Sequence, residues 1–270
     1  MSAIHLHRRA VHAQAQRGFT LVELMIAILI GLFLTGGLLT LTSAMKRTSG
    51  VQGDLSQLHD TERLSFSLLA DVLQSSGFFT FPSPPAGTTA ATVFPSGTIG
   101  NIVWTAGQTI SGTDGGSASA QTDTVSVRYS SAGGDGVLNC IGATVATAAS
   151  WVATFQVDGL GNLQCLLTTN GTIAATAIPI ASGVQYMQVL YGVQSNTAAA
   201  TFSVDSYLTA TQVAAGGYWP NVISVQVTLW FVNPLYCTTN CQAGQQTTQP
   251  PTIKMTRAIA LMNKAGVNTL

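Results

Sequence analysis

An apolar run opens at Gly18-Phe19-Thr20-Leu21-Val22-Glu23 and continues to Leu41, with Glu23 as its only charged residue. It has the length of a bilayer-crossing helix, which takes about 20 residues. Beyond it the pattern turns amphipathic. Leu55, Leu58, Phe66, Leu69, Val72 and Leu73 recur at helical spacings among Asp54, Asp60, Glu62, Arg63 and Asp71. Together the two stretches predict one helix from Phe19 to near Ser76, on the order of 85 Å long, the first half an anchor and the second a spine. Gly77 followed by Pro82, Pro84 and Pro85 supplies the stop.

The pattern then switches to a period of two. Val125, Val127 and Tyr129 share one face of a strand whose other face carries Thr124, Ser126 and Arg128. Trp151–Val157 reads as a strand, Asp158–Asn162 as a turn, and Leu163-Gln164-Cys165 as the start of the return strand. Val184–Tyr191 reads as a strand apolar on both sides. In Val222–Val232, Ile223, Val225, Val227, Leu229 and Phe231 point one way and Ser224, Gln226 and Thr228 the other, as in a half-buried antiparallel strand. Ile253–Leu261 returns as a final strand, and Asn170-Gly171 reads as a tight turn. Residues 86–121, rich in Thr, Gly, Ala and Ser with Asp114 as their only charge, read as an exposed, loop-rich insertion with short strands. A long amphipathic helix followed by strands buries its stripe across an antiparallel sheet, so the expected class is α+β.

Charge changes the picture at the amino terminus. Arg8, Arg9 and Arg17 lie in the first eighteen residues, which hold no acid; without them the balance is seven basic against ten acidic side chains, a net −3. Such a chain lacks the basic surface of a nucleic-acid binder. Lys46 and Arg47 flank the far end of the apolar run, so the positive-inside comparison is three against two, in favour of a cytoplasmic amino terminus. Cys140, Cys165, Cys237 and Cys241 form no CxxC and have no nearby histidine, which argues for disulfides in an exported body over a zinc site. Sequence proximity ranks the pairings as Cys140 with Cys165 and Cys237 with Cys241.

Catalytic patterns are lacking. His59 lies on the predicted helix among Asp60 and Glu62 with no nucleophile beside it. Gly112–Gly116 has no following Lys-Ser/Thr. Asp114, Asp135 and Asp158 neighbour glycines, as ordinary turns do, without the further oxygen ligands that calcium requires. No cofactor is expected.

Glu23 stands out because an ionised carboxylate at mid-bilayer costs about 2.5–3.5 kcal/mol on insertion scales, less near an interface. A secretory signal peptide has an apolar core of roughly 7–15 residues and a small-residue cleavage site, for which Thr42-Ser43-Ala44 is a weak candidate. A plain signal anchor gives no role to Gly18-Phe19 or Glu23. The basic leader, Gly18, Phe19 and the Glu fifth after that junction resemble the type IV pilin signature. The resemblance implies a 1–18 leader removed by a prepilin peptidase after Gly18, methylation of Phe19, and an assembly ion pair between Glu23 and the Phe19 amine of a neighbouring subunit. It implies a pilin fold: 19–41 the transmembrane half of the helix, 42–77 the amphipathic half, and 78–270 a disulfide-containing β-rich domain. Gly31, Gly36 and Gly37 fit either close helix packing or a stretch that melts on assembly.

The body resembles PilW-type minor pilins in particular: Gly50–Gly77, Phe155–Cys165 with its Leu-x-Cys ending, Gly183-Val184-Gln185-Tyr186 leading into Leu190-Tyr191-Gly192-Val193, then Tyr207, Trp219 and Val222–Val227, in that order. The resemblance implies a non-enzymatic subunit that helps initiate pilus assembly, at or near the tip. Its partners would be other minor pilins, the major pilin, the prepilin peptidase, the inner membrane and the assembly platform. The globular domain would sit in the periplasm and later in the pilus. The alternatives are a GspJ-like pseudopilin of type II secretion and a tip subunit for adhesion or DNA uptake.

Overall fold

A computed structural model describes residues 18–79, 89–115, 122–174, 176–195, 203–239, 241 and 245–262. The leader arginines and histidines, and the Pro82–Pro85 stop, lie outside the described residues. The chain divides into two compact units, Met1–Gly50 and Val51–Leu270. The elements in chain order are α1 (Leu21–Gln74), α2 (Ala90–Val93), β1 (Gly97–Ile99), β2 (Ile102–Trp104), β3 (Ile110–Thr113), β4 (Thr124–Ser131), β5 (Ala149–Val157), β6 (Asn162–Thr169), β7 (Thr172–Ile173), β8 (Ile178–Ser182), β9 (Val184–Val193), β10 (Ser206–Leu208), α3 (Ala210–Gly216), a 3-10 turn (Trp219–Asn221), β11 (Val222–Val232) and β12 (Thr252–Ala260).

Helix α1 contains no proline, and its hydroxyls bond back to its own carbonyls. Thr35 Oγ1 donates to Gly31 O at 2.8 Å, Thr40 Oγ1 to Gly37 O at 2.8 Å and Thr42 Oγ1 to Leu38 O at 2.9 Å. That satisfies hydroxyls that would otherwise be costly in an apolar setting. Within the second unit, Leu58, Phe66, Leu69, Val72 and Leu73 are buried and Leu55 is partly buried, which is the predicted stripe. Burying each such side chain contributes about 1.5–3 kcal/mol. The helix ends at Gln74, slightly before the expected Ser76. Gly77 then takes φ +77°, and a Cβ there would stand 3.0 Å from Thr109 Cγ2. Gly77 N–H donates to Arg128 O at 2.9 Å and Ser130 N–H to Phe78 O at 2.8 Å, so the chain leaves the helix along β4.

Two antiparallel sheets make the body. The larger runs β3-β4-β5-β6-β7 with β8 also on β6; the smaller runs β10-β9-β11-β12. Gly183, at φ +79°, joins β8 to β9 and so joins the sheets. Asp123 ties them again: its backbone N–H donates to Met187 O at 2.9 Å and its carboxylate accepts from Val189 N–H at 2.8 Å. The core contains Phe66, Val127, Phe155, Met187, Tyr191 and Leu229.

Three expectations differ from what is observed. The described part of the 86–121 insertion is anchored to the sheet and not wholly exposed: Phe94, Trp104 and Ile110 are buried, while residues 89–92 and 95–98 stay exposed. Strand β4 is therefore covered on both faces, and Ser126 and Arg128 are buried beside Val125 and Val127. Strand β9 is not apolar on both sides, since Gln185 and Gln188 are exposed, and it runs on to Val193. In β11 a register shift between Val222 and Ser224 puts Val222 into the core and leaves Ile223 partly exposed, because a bulge resets the alternation.

Candidate functional site

The amino-terminal candidates, Gly18, Phe19 and Glu23, fall within about one helical turn at the start of α1. Thr20 opens the helix: its Oγ1 accepts the Glu23 N–H at 3.2 Å and its carbonyl accepts the Leu24 N–H at 3.2 Å. Thr20-Leu21-Val22-Glu23 has the spacing of a capping box, a signal the sequence reading passed over. Around Glu23 the helix presents apolar side chains outward without cover: Phe19 is 84 % exposed, and Leu21, Val22 and Met25 are exposed with it. Among the described residues the Glu23 carboxylate has no hydrogen-bond or ion-pair partner. The apolar window of this helix has the length and composition to cross a membrane, and none of it is buried.

The cysteines form two local pairs. Cys140–Cys165 joins the loop before β5 to β6, with Cα atoms 6.4 Å apart, and Cys237–Cys241 closes a short turn at 5.4 Å. Replacing Cys140 and Cys165 by alanine should lower stability by about 3 kcal/mol, from the loop of the size they close. Replacing Cys237 and Cys241 should cost less. Denaturant titration of the two double variants checks this; equal losses would contradict the ranking.

Sequence reading missed the organising role of Arg128. Burial pushes its guanidinium down to about 10, yet it faces no carboxylate. Instead Nη1 donates to Pro95 O at 2.9 Å, Nη2 to Phe94 O and Thr105 O at 2.9 Å each, and Nε to Gln108 O. Its Cζ lies 5.3 Å from the Phe94 ring centroid and 4.9 Å from that of Trp104. One side chain thus fastens the insertion to the sheet. At the far end of the insertion Asp114 accepts from Ala210 N–H and Thr211 N–H at 2.8 Å each, at the start of α3. Burial alone would raise its carboxyl, but hydrogen bonds from Thr211, Thr209 and Ala210 outweigh that and hold it below the usual range. Asp123 goes the other way: burial raises it despite bonds from Gly115 and Val189. His59 is exposed and lies 3.4 Å from Glu62 on the same helix.

Comparison with known proteins adds the family. Residues 14–39 match the prokaryotic N-terminal methylation motif, and residues 143–260, from the loop before β5 to the end of β12, match the Type IV Pilus-assembly protein W family. Over these two stretches the chain is similar to PilW-type type IV pilins. The PilW match contains the Leu-x-Cys hairpin at Phe155–Cys165, the Gly183–Val193 segment, Tyr207, Trp219 and the start of β11. The methylation-motif match spans Gly18, Phe19 and Glu23. A type IV-like pilin from Thermus thermophilus aligns with a TM-score of 0.42 and 14% identity, over 77% of this chain and 99% of that one. Among curated proteins none matches the chain by sequence.

Proposed function

We infer that this chain is a minor pilin, a low-copy subunit that joins other minor pilins to initiate a type IV pilus at or near its tip. The supporting observation is the amino terminus: an uncovered apolar helix whose one carboxylate has no partner among the described residues, inside a matched methylation motif. In this reading a prepilin peptidase cuts after Gly18 and the new Phe19 amine is methylated. Residues 19–41 hold the subunit in the inner membrane and 42–77 continue as the spine. The 78–270 domain faces the periplasm and passes into the pilus. The apolar helices of several subunits then cover one another, replacing lipid with protein.

Glu23 sets the axial register. Its carboxylate meets the Phe19 amine of a neighbouring subunit, and both charges leave water together, where pairing is strongly preferred to isolation. Chemistry at this site is limited to that proton-neutral ion pair and to packing; the subunit catalyses nothing. The test is affinity purification of the tagged, detergent-solubilised chain from cells carrying the pilus genes. Recovery of other minor pilins in a defined complex is expected. Recovery of secretion-system pseudopilins, or of no pilin-like partner, would contradict the reading.

A further inference from the structure

The outward face of the six-stranded sheet is only partly open to solvent. The β1–β2 hairpin, which Arg128 fastens in place, stands over it, and with Ala214 and Trp219 it borders an open cleft of about 510 Å³. The floor includes Ser111 of β3, Ser126 of β4, Thr154 and Gln156 of β5 and Thr168 of β6. Among the described residues no acidic, basic or histidine side chain lines it. Ser126 and Thr154 bond one another at 2.8 Å. The Ser111 and Thr168 hydroxyls and the Gln156 amide have no side-chain hydrogen bond among the described residues, although Thr168 is only 5 % exposed. Gly100, at φ +63°, keeps the space above Thr168 clear: a Cβ there would stand 3.5 Å from Thr168 Oγ1 and 3.4 Å from the Ile173 side chain.

Hydroxyls and a carboxamide both donate and accept, so these unpaired groups suit a ligand whose own polar groups are neutral and do the same. An ionic ligand would lose its hydration with no countercharge to meet. An extended peptide gains nothing from strand addition over β4, β5 and β6, whose ladder bonds are already made on both sides. The remaining wall combines the apolar Val103, Ile173 and Trp219 indole with the neutral polar Asn101, Thr113 and Thr124. Apolar walls with a few convergent polar groups are the usual composition of a small-molecule site. We propose that the cleft binds a neutral saccharide, with Ser111, Gln156 and Thr168 hydrogen-bonding its hydroxyls and Trp219 beside the apolar side of a sugar ring.

The experiment is saturation-transfer NMR on the full chain in a detergent without a sugar headgroup. The probes are maltose, lactose, cellobiose and N,N′-diacetylchitobiose, with glucuronic acid, glucosamine and trialanine amide as comparisons. Saturable binding of at least one neutral disaccharide is expected, weakened about tenfold by Thr168→Val, which removes the hydroxyl but keeps the volume. Ala214→Trp adds bulk at an exposed position of the wall and should abolish binding without touching the core. The proposal is overturned by no saturable binding of any neutral disaccharide, by affinity unchanged in both variants, or by preference for the charged sugars or the peptide.

Discussion

Glu23→Ala should leave membrane insertion and leader cleavage intact while lowering incorporation into the assembly complex by about 100-fold or more. Removing the carboxylate makes the helix more favourable in lipid, so insertion does not suffer. The loss falls on the neighbouring subunit, whose Phe19 amine would stay charged and unpaired in a low-dielectric bundle. Stranding one partner of a buried pair costs about 3–5 kcal/mol, and about 1.4 kcal/mol is a factor of ten. Glu23→Gln keeps the shape and the polarity but not the charge, and should fail nearly as badly. Co-precipitation with partner pilins, alongside piliation at matched expression, reads the effect. Should both variants assemble as wild type does, Glu23 is a tolerated passenger.

The second large effect belongs to Arg128. Arg128→Met removes the guanidinium donor from four backbone carbonyls, those of Phe94, Pro95, Thr105 and Gln108, of which Phe94 O keeps the Gly107 N–H and Thr105 O the Gln108 N–H, and removes the cation between the Phe94 and Trp104 rings. The expected cost is about 3 kcal/mol or more, concentrated in the insertion. Arg128→Lys should rescue little, because a single ammonium cannot reproduce the planar fork that reaches all four acceptors. Hydrogen exchange reads this directly. The amides of the β1–β2 hairpin and of Gly107, which donates to Phe94 O at 2.8 Å, should exchange ~100-fold faster in both variants. The amides of β9 and β11 should be little affected. Uniform acceleration across the sheets, or none in the hairpin, would contradict the anchoring role.

Arg128 also marks where the sequence stops being informative. Alternation correctly separates Val125, Val127 and Tyr129 from Thr124, Ser126 and Arg128, but it cannot tell whether the second face meets water or another segment. The covering segment is poor in apolar residues overall and buries only a few large ones, Phe94, Trp104 and Ile110, so its composition resembled an exposed loop. The bulge at the start of β11 was hidden for a related reason: Ile223 and Val222 are both apolar, and a one-residue insertion is invisible until the partner strand supplies the register. Elements of three to seven residues, such as β10 and α3, carry too few positions for a period to emerge. The helical stripe of α1 was readable because it repeats over several turns against one core. At the candidate site, the lone carboxylate was plain in the sequence, since a single charge in an apolar run cannot be mistaken. Among the described residues its carboxylate has no partner, and the partner proposed for it lies on a neighbouring subunit.

The central claim is that this is a processed pilin subunit, and it is tested most directly by mass spectrometry of the amino-terminal peptide of the protein extracted from membranes of cells holding the prepilin peptidase. The account predicts a mature chain beginning at Phe19 with a methylated amine. An intact leader, or a terminus near Met45 as ordinary signal-peptide removal would leave, would contradict it.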